Sequence, residues 1–180
     1  MNYIIYDLEA TCWMGPPPQG IQEIIEIGAL KLNQYGEVID TFSKFIKPTV
    51  NPILSDFCKR LTSIQQEDVN RSKTFPVIIE QWQDWIDIYD ESYVLCSWGK
   101  FDEDLLRSEC QFHQLESDWL DPSINVKAQY HKMKGRLEMS GLKSVIKAEG
   151  FEFSGVHHRA ISDAENLAKI FAKYIDVWIV

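Results

Sequence analysis

The chain has 180 residues, 45% hydrophobic, 12% aromatic and 25% charged, a size and balance that fit one globular unit and exclude a fibrous or disordered protein. Its formal charge of −9 argues against a surface that grips duplex nucleic acid broadly, because phosphate-binding modules are usually basic. It does not exclude a nuclease, since divalent ions would cancel several acids locally.

No apolar run approaches the roughly 20 residues needed to cross a bilayer, and no signal-like segment opens the chain. A single domain over residues 1–180, in the cytoplasm and without membrane contact, is expected. Cys12, Cys58, Cys96 and Cys110 are scattered, with no C-x-x-C pair. They read as free thiols, mostly in the core, and leave a zinc cluster without ligands.

Residues 2–8 (N-Y-I-I-Y-D-L) are β-rich and almost continuously apolar, the pattern of a strand buried on both faces in the middle of a sheet. The stretch 12–22 holds Gly15, Pro16, Pro17, Pro18 and Gly20; three prolines in a row exclude a central strand, so this is a connection. Residues 23–32 and 38–47 read as two further strands. The turn between them is short, with Gly36 available for positive φ, which makes them antiparallel neighbours.

Residues 54–61 and 64–69 read as short helical turns. From Phe75 to Tyr89 the apolar residues recur at three-and-four spacing, which predicts an amphipathic helix with Trp82 and Trp85 in the core. Residues 93–98 form a short strand leading across Gly99 into a helix over 101–110. Residues 124–126 read as an edge strand or a helix entry, and helices are predicted around 125–132, 140–149 and 160–174. This order indicates a mixed sheet with helices packed against it.

Charge is unevenly placed. Residues 102–121 are acid-rich, whereas 123–147 carry Lys127, Lys132, Lys134, Arg136, Lys143 and Lys147 against Glu138 alone. The basic stretch is either a contact for a polyanion or a solvated helix face.

Three short motifs carry candidate chemistry. Asp7 and Glu9 project from the same face of a strand, with Cα atoms about 6–7 Å apart, near the strand end where ligands collect in open α/β sheets. Two such carboxylates can share a cation; unpaired, they repel and raise one pKa. Solvated strand-end acids are the bland alternative. Asp102 falls in the first turn of a helix after S-W-G-K-F-D, where an acid is also favoured simply by the helix dipole, and Glu103 and Asp104 compete with it.

His158 and Asp163 flank the start of the last helix, with His157 an adjacent competitor. Ser162 with Glu165 also matches a capping box, which would make Asp163 an ordinary first-turn acid. Histidine offers a base near neutral pH, and carboxylates with oxygen-only ligation suit Mg²⁺ or Mn²⁺ rather than zinc. Gathered together, these groups would cleave phosphodiester bonds.

Taken jointly, residues 7–12 (D-L-E-A-T-C), 97–102 (S-W-G-K-F-D) and 158–164 (H-R-A-I-S-D-A) resemble the three motifs of the DnaQ-like 3′–5′ exonucleases, in the DEDDh subfamily whose third motif is H-x4-D. Residues 54–64 (L-S-D-F-C-K-R-L-T-S-I) and 66–69 (Q-E-D-V) are similar to the branch of exoribonucleases that trim small interfering RNA and histone messenger RNA ends, and to bacterial sporulation-inhibitor-like relatives. The similarity covers nearly the whole chain.

The resemblance implies a ribonuclease H-like α/β fold, a five-stranded mixed β-sheet flanked by α-helices. It also implies Asp7, Glu9, Asp102 and Asp163 as metal-binding acids for two Mg²⁺ or Mn²⁺ ions, and His158 as the general base, with Glu9 in the catalytic set. Glu9, Ala10, Leu61, Thr62 and His158 would lie against the terminal nucleotide. The implied activity is removal of nucleoside 5′-monophosphates from single-stranded 3′ ends, RNA favoured over DNA, with bases stacked on apolar side chains. Ser63 departs from the branch, which has glycine there. A catalytically weak RNA-binding module and a DNA-proofreading exonuclease subunit are the alternatives.

Overall fold

The structure is a computed structural model and describes residues 1–135 and 138–180. Arg136 of the basic stretch lies outside the described residues. Five strands, β1 (Asn2–Ala10), β2 (Ile24–Leu32), β3 (Val38–Phe45), β4 (Tyr93–Ser97) and β5 (Ser123–Asn125), form one sheet in the order β3-β2-β1-β4-β5. The helices are α1 (Asp56–Thr62), α2 (Gln66–Asn70), α3 (Phe75–Ile86), α4 (Phe101–Phe112), α5 (Val126–Met133), α6 (Leu142–Ala148) and α7 (Ala160–Lys173).

β1 is the middle strand, as its apolar run implies, pairing antiparallel with β2 and parallel with β4. Its alternate residues feed two cores. Ile4, Tyr6 and Leu8 pack with Trp82 of α3 and Leu106 of α4. Ile5, on the opposite face, packs with Val145 of α6 and Phe171 of α7. Ile4 and Ile5 are both fully buried, each contributing roughly 1.5–3 kcal/mol by leaving water. Asp7 and Glu9 share the parity of Ile5, and so project on the α7 side.

β1 extends to Ala10, beyond the predicted end at Leu8, because Leu8 and Glu9 still pair with Ile27 and Glu26 before the register shifts at Ala10. α3 stops at Ile86, short of Tyr89, where Asp87 turns left-handed at φ 66°. Trp82 is fully buried, edge-on to Tyr6, whereas Trp85 is half-buried and donates its indole N–H to Asp40. α6 begins at Leu142, after the extended N-cap Gly141, and the preceding Ser140 N–H is held by Nε2 of His131. The 124–126 segment resolves into the short parallel edge strand β5, followed at once by α5.

Cys58, Cys96 and Cys110 are buried and Cys12 is half-buried, all as free thiols. Among the described residues, no helix is long and apolar enough to cross a membrane.

Candidate active site

Asp7 and Glu9 stand side by side on β1, and the start of α7 lies directly over the neighbouring strand. Gly28, the β2 partner of Asp7, permits this approach: a Cβ built on it would fall 2.1 Å from the Ile161 nitrogen and 2.3 Å from the Ala160 carbonyl carbon. With the helix seated so closely, Asp163 in its first turn reaches the strand. One carboxylate oxygen from each of Asp7, Glu9 and Asp163 lies within 4.8 Å of the others.

Asp102 stands beside this trio. β1 and β4 run parallel, so both end at the same edge of the sheet, and the tight turn after β4 delivers the start of α4 next to the end of β1. There the Asp102 carboxylate accepts the Leu8 backbone N–H. Glu9, Asp102 and Asp163 are all buried, and Asp7 is half-buried. Helix-start acids that served only the dipole would face solvent; here they face one another.

The electrostatic consequence is mutual repulsion in a poorly solvated space. Burial, then Asp163, Glu26 and Asp102, push the Glu9 carboxyl up to about 9. Burial pushes Asp102 up to about 7 against the opposing pull of the Leu8 N–H. Asp7 is held well above the ordinary carboxylate range by burial and by Asp102, Asp163 and Glu9. Buried acids this close fit a hard divalent cation, which would remove the repulsion and accept oxygen ligands alone.

The two histidines are joined to the same acid. Asp163 accepts the His158 backbone N–H at 3.0 Å through one oxygen and meets His157 Nδ1 at 3.0 Å through the other. The imidazoles stack with centroids 4.0 Å apart. His158 is half-buried, and its pKa is lowered by burial and by the nearby charges of His157 and Lys143, with Asp163 opposing. The His158 backbone is thus tied to the carboxylate cluster while its ring lies over that of its neighbour.

The Ser162 capping box does not form. α7 starts two residues earlier, at Ala160, so Ser162 lies inside the helix, where its hydroxyl accepts the Val156 N–H. Ala10 is buried at the end of β1, and Leu61 is exposed at the end of α1. Thr62 is fully buried; its hydroxyl donates to the Cys58 carbonyl and accepts the Ile64 N–H. Ser63 is left-handed at φ 62°, a conformation glycine adopts without strain, which accounts for glycine at this place in the resembling branch. The proline-rich connection faces α4 across a groove that Pro17, Ile21, Phe101 and Phe112 help to line.

Sequence reasoning passed over Gly28, Glu26 and Arg159. The available signal was an acid and a glycine inside the otherwise apolar run I-I-E-I-G-A, with a basic residue directly after His158.

Residues 4–171 match the family described as Exonuclease (RNase_T). Human 3′-5′ exoribonuclease 1 is 32% identical over 183 residues, an alignment covering 97% of this chain and 52% of that protein. The chain therefore spans about half the length of that curated relative. The nuclease domain of 3′hExo, a DEDDh family member bound to rAMP, superimposes with a TM-score of 0.90 at 31% identity, over 97% of this chain and 92% of that one. A structure of histone mRNA stem-loop recognition by 3′-exonuclease gives 0.92 at 29% identity, over 99% and 84%.

Proposed function

The chain belongs to the RNase_T exonuclease family, and we propose that it is a metal-dependent 3′–5′ exonuclease acting on single-stranded 3′ ends, RNA before DNA, and releasing nucleoside 5′-monophosphates. The observation that carries this reading is the convergence of the Asp7, Glu9 and Asp163 oxygens within 4.8 Å, with buried Asp102 adjoining. We further propose that residues 1–180 work as one exonuclease domain. Exonucleases of this DEDDh group use divalent metal ions, and we propose two Mg²⁺ or Mn²⁺ ions for this site.

Asp7, Glu9, Asp102 and Asp163 would hold the ions, which when bound supply Lewis acidity at the attacked phosphodiester. His158 takes the proton of the attacking water at a ring nitrogen, a role that requires the neutral imidazole. The depressed pKa of His158 keeps that form populated at neutral pH. Glu9 and Ala10 border the terminal nucleotide, and exposed Leu61 offers an apolar surface to its base, with the adjoining Thr62 backbone completing that wall. Burial of the carboxylates excludes bulk water from the place where charge develops.

The test compares RNA and DNA oligonucleotides of one sequence, each with a free 3′ end, in Mg²⁺ or Mn²⁺. Stepwise release of 5′-monophosphates, faster from RNA and lost in Asp102→Ala, is the expected result. Binding without release would instead identify an RNA-binding module, and faster release from DNA a proofreading enzyme.

A further inference from the structure

We propose that the Glu26–Arg159 pair is a positioning device for the active site, holding the backbone that carries His158 when Asp163 is engaged by a metal ion; the proposal rests on the nuclease reading above.

The segment 157–160 hangs on two carboxylates. Asp163 takes His157 Nδ1 and the His158 N–H, both at 3.0 Å. Glu26 takes Arg159 Nη2 at 2.8 Å, Arg159 Nε at 3.1 and 3.2 Å, and the Ala160 N–H at 3.0 Å. Between the two anchors sits His158 at φ 63°. A left-handed conformation costs a non-glycine residue on the order of 1–3 kcal/mol and persists only where the surroundings over-determine it.

The anchors differ in what else they must do. Asp163 belongs to the oxygen cluster with Asp7 and Glu9, so its oxygens must be shared with a cation. Both Glu26 oxygens already accept from Arg159, Oε1 from Nη2 and Nε and Oε2 from Nε, and the Ala160 N–H on Oε2 completes the set. Glu26 is therefore the anchor that metal binding does not disturb. It is also the β2 partner of Glu9, so the His158 backbone is referenced through a single rung of the sheet to a candidate metal ligand.

The arrangement exceeds what a helix start requires. A helix N-terminus is commonly satisfied by Ser, Thr, Asp or Asn at the N-cap. Here the N-cap is Arg159, without a side-chain cap of its own, and the acceptor is an acid 1% exposed on the sheet. A carboxylate buried next to Glu9 adds repulsion to the site, and the Arg159 fork offsets it. The guanidinium is held from outside by the Phe45 ring, 5.1 Å away, and its planar bidentate geometry is one a lysine cannot reproduce.

The experiment uses the full chain with Arg159→Gln and Arg159→Lys. For Arg159→Gln, kcat for nucleotide release falls by about 10- to 100-fold, the scale for loss of an outer partner of a metal site, while KM stays within about twofold. Arg159→Lys, which keeps the charge and loses the fork, recovers only part of that loss. Histidine ring NMR of the metal-loaded protein supplies a second reading: His158 broadens or moves in Arg159→Gln, while His113, just after α4, and His131, on α5, stay in place. Wild-type kcat with an unmoved His158 signal in either variant overturns the proposal, and Arg159→Lys decides if Arg159→Gln does not fold. An inactive wild-type chain would count against the nuclease reading instead, and the NMR comparison would still decide the positioning role.

Discussion

Asp7 and Gly28 face each other across the β1–β2 ladder, so the strand position that offers a carboxylate on one side offers, on its partner, the space that lets α7 approach. The helix backbone occupies the place of the missing Cβ. Proximity of Asp163 to Asp7 is thereby written into one rung of the sheet.

Gly28→Ala is expected to push the start of α7 off the sheet, since the clashing atoms belong to backbone and cannot rotate away. The cost is about 1–3 kcal/mol of stability, typical of overpacking. Nucleotide release should fall about 100-fold at a temperature where the variant remains folded, because a displacement of about 1 Å disrupts a preorganised site. Denaturant midpoints and release rates measured together check this, and unchanged activity alongside lowered stability would refute the link between this rung and the site.

Removal of divalent metal should make the protein pH-sensitive between 7 and 9. Glu9 and Asp102 are raised from 4.5 and 3.8 to about 9 and about 7, so the native state retains protons that the unfolded chain has released. Their stabilising contribution is complete below the unfolded carboxylate values and is lost as pH rises through the folded ones. Thermal melts in a chelator should therefore decline from pH 7 to 9. Mg²⁺ or Mn²⁺ should restore more at pH 9 than at pH 7. Glu109, also raised, to about 8, away from the cluster, contributes the same trend with or without metal, so Glu109→Gln is the control.

Asp7→Asn should trade activity for stability. It removes one of several repelling buried acids, which raises metal-free stability by about 0.5–2 kcal/mol, and it lowers nucleotide release by about 100- to 1000-fold. Melting in chelator and single-turnover release, measured on the same preparation, test both halves. A variant destabilised without metal would show that repulsion does not dominate at Asp7.

With His158 as the base, kcat is full when its imidazole is neutral and declines as pH falls through its pKa. Burial, His157 and Lys143 lower that pKa, so the decline begins below the ordinary histidine value of roughly 6.5. Lys143→Gln, which removes one of the depressing charges, should move the midpoint upward. A kcat profile flat from pH 5 to 7 sinks His158 in this role.

Much of the architecture was legible from local pattern. The continuous apolar run 2–8 marked a central strand because burial on both faces leaves no room for alternation, and the short turn at Gly36 made β2 and β3 antiparallel. The 3.6-residue period delivered α3 with Trp82 in the core. Boundaries were the weaker part: β1 reaches Ala10 through pairing with β2 and α3 yields to a left-handed Asp87, whereas the last helix starts at Ala160 as its pattern implies, and the competing capping box at Ser162 does not form.

Residue types and spacing determined which acids and histidines were candidates, and the joint motif pointed to the family. Only the tertiary structure decided which of these side chains meet. Each meeting depends on long-range geometry: the parallel β1–β4 pair brings Asp102 beside Leu8, and Gly28 admits α7 with Asp163. The Glu26–Arg159 bond then fastens the His158 segment to the rung of Glu9. Local sequence carries no record of such convergence, because strand register and helix approach are set by packing between segments about 90 residues or more apart.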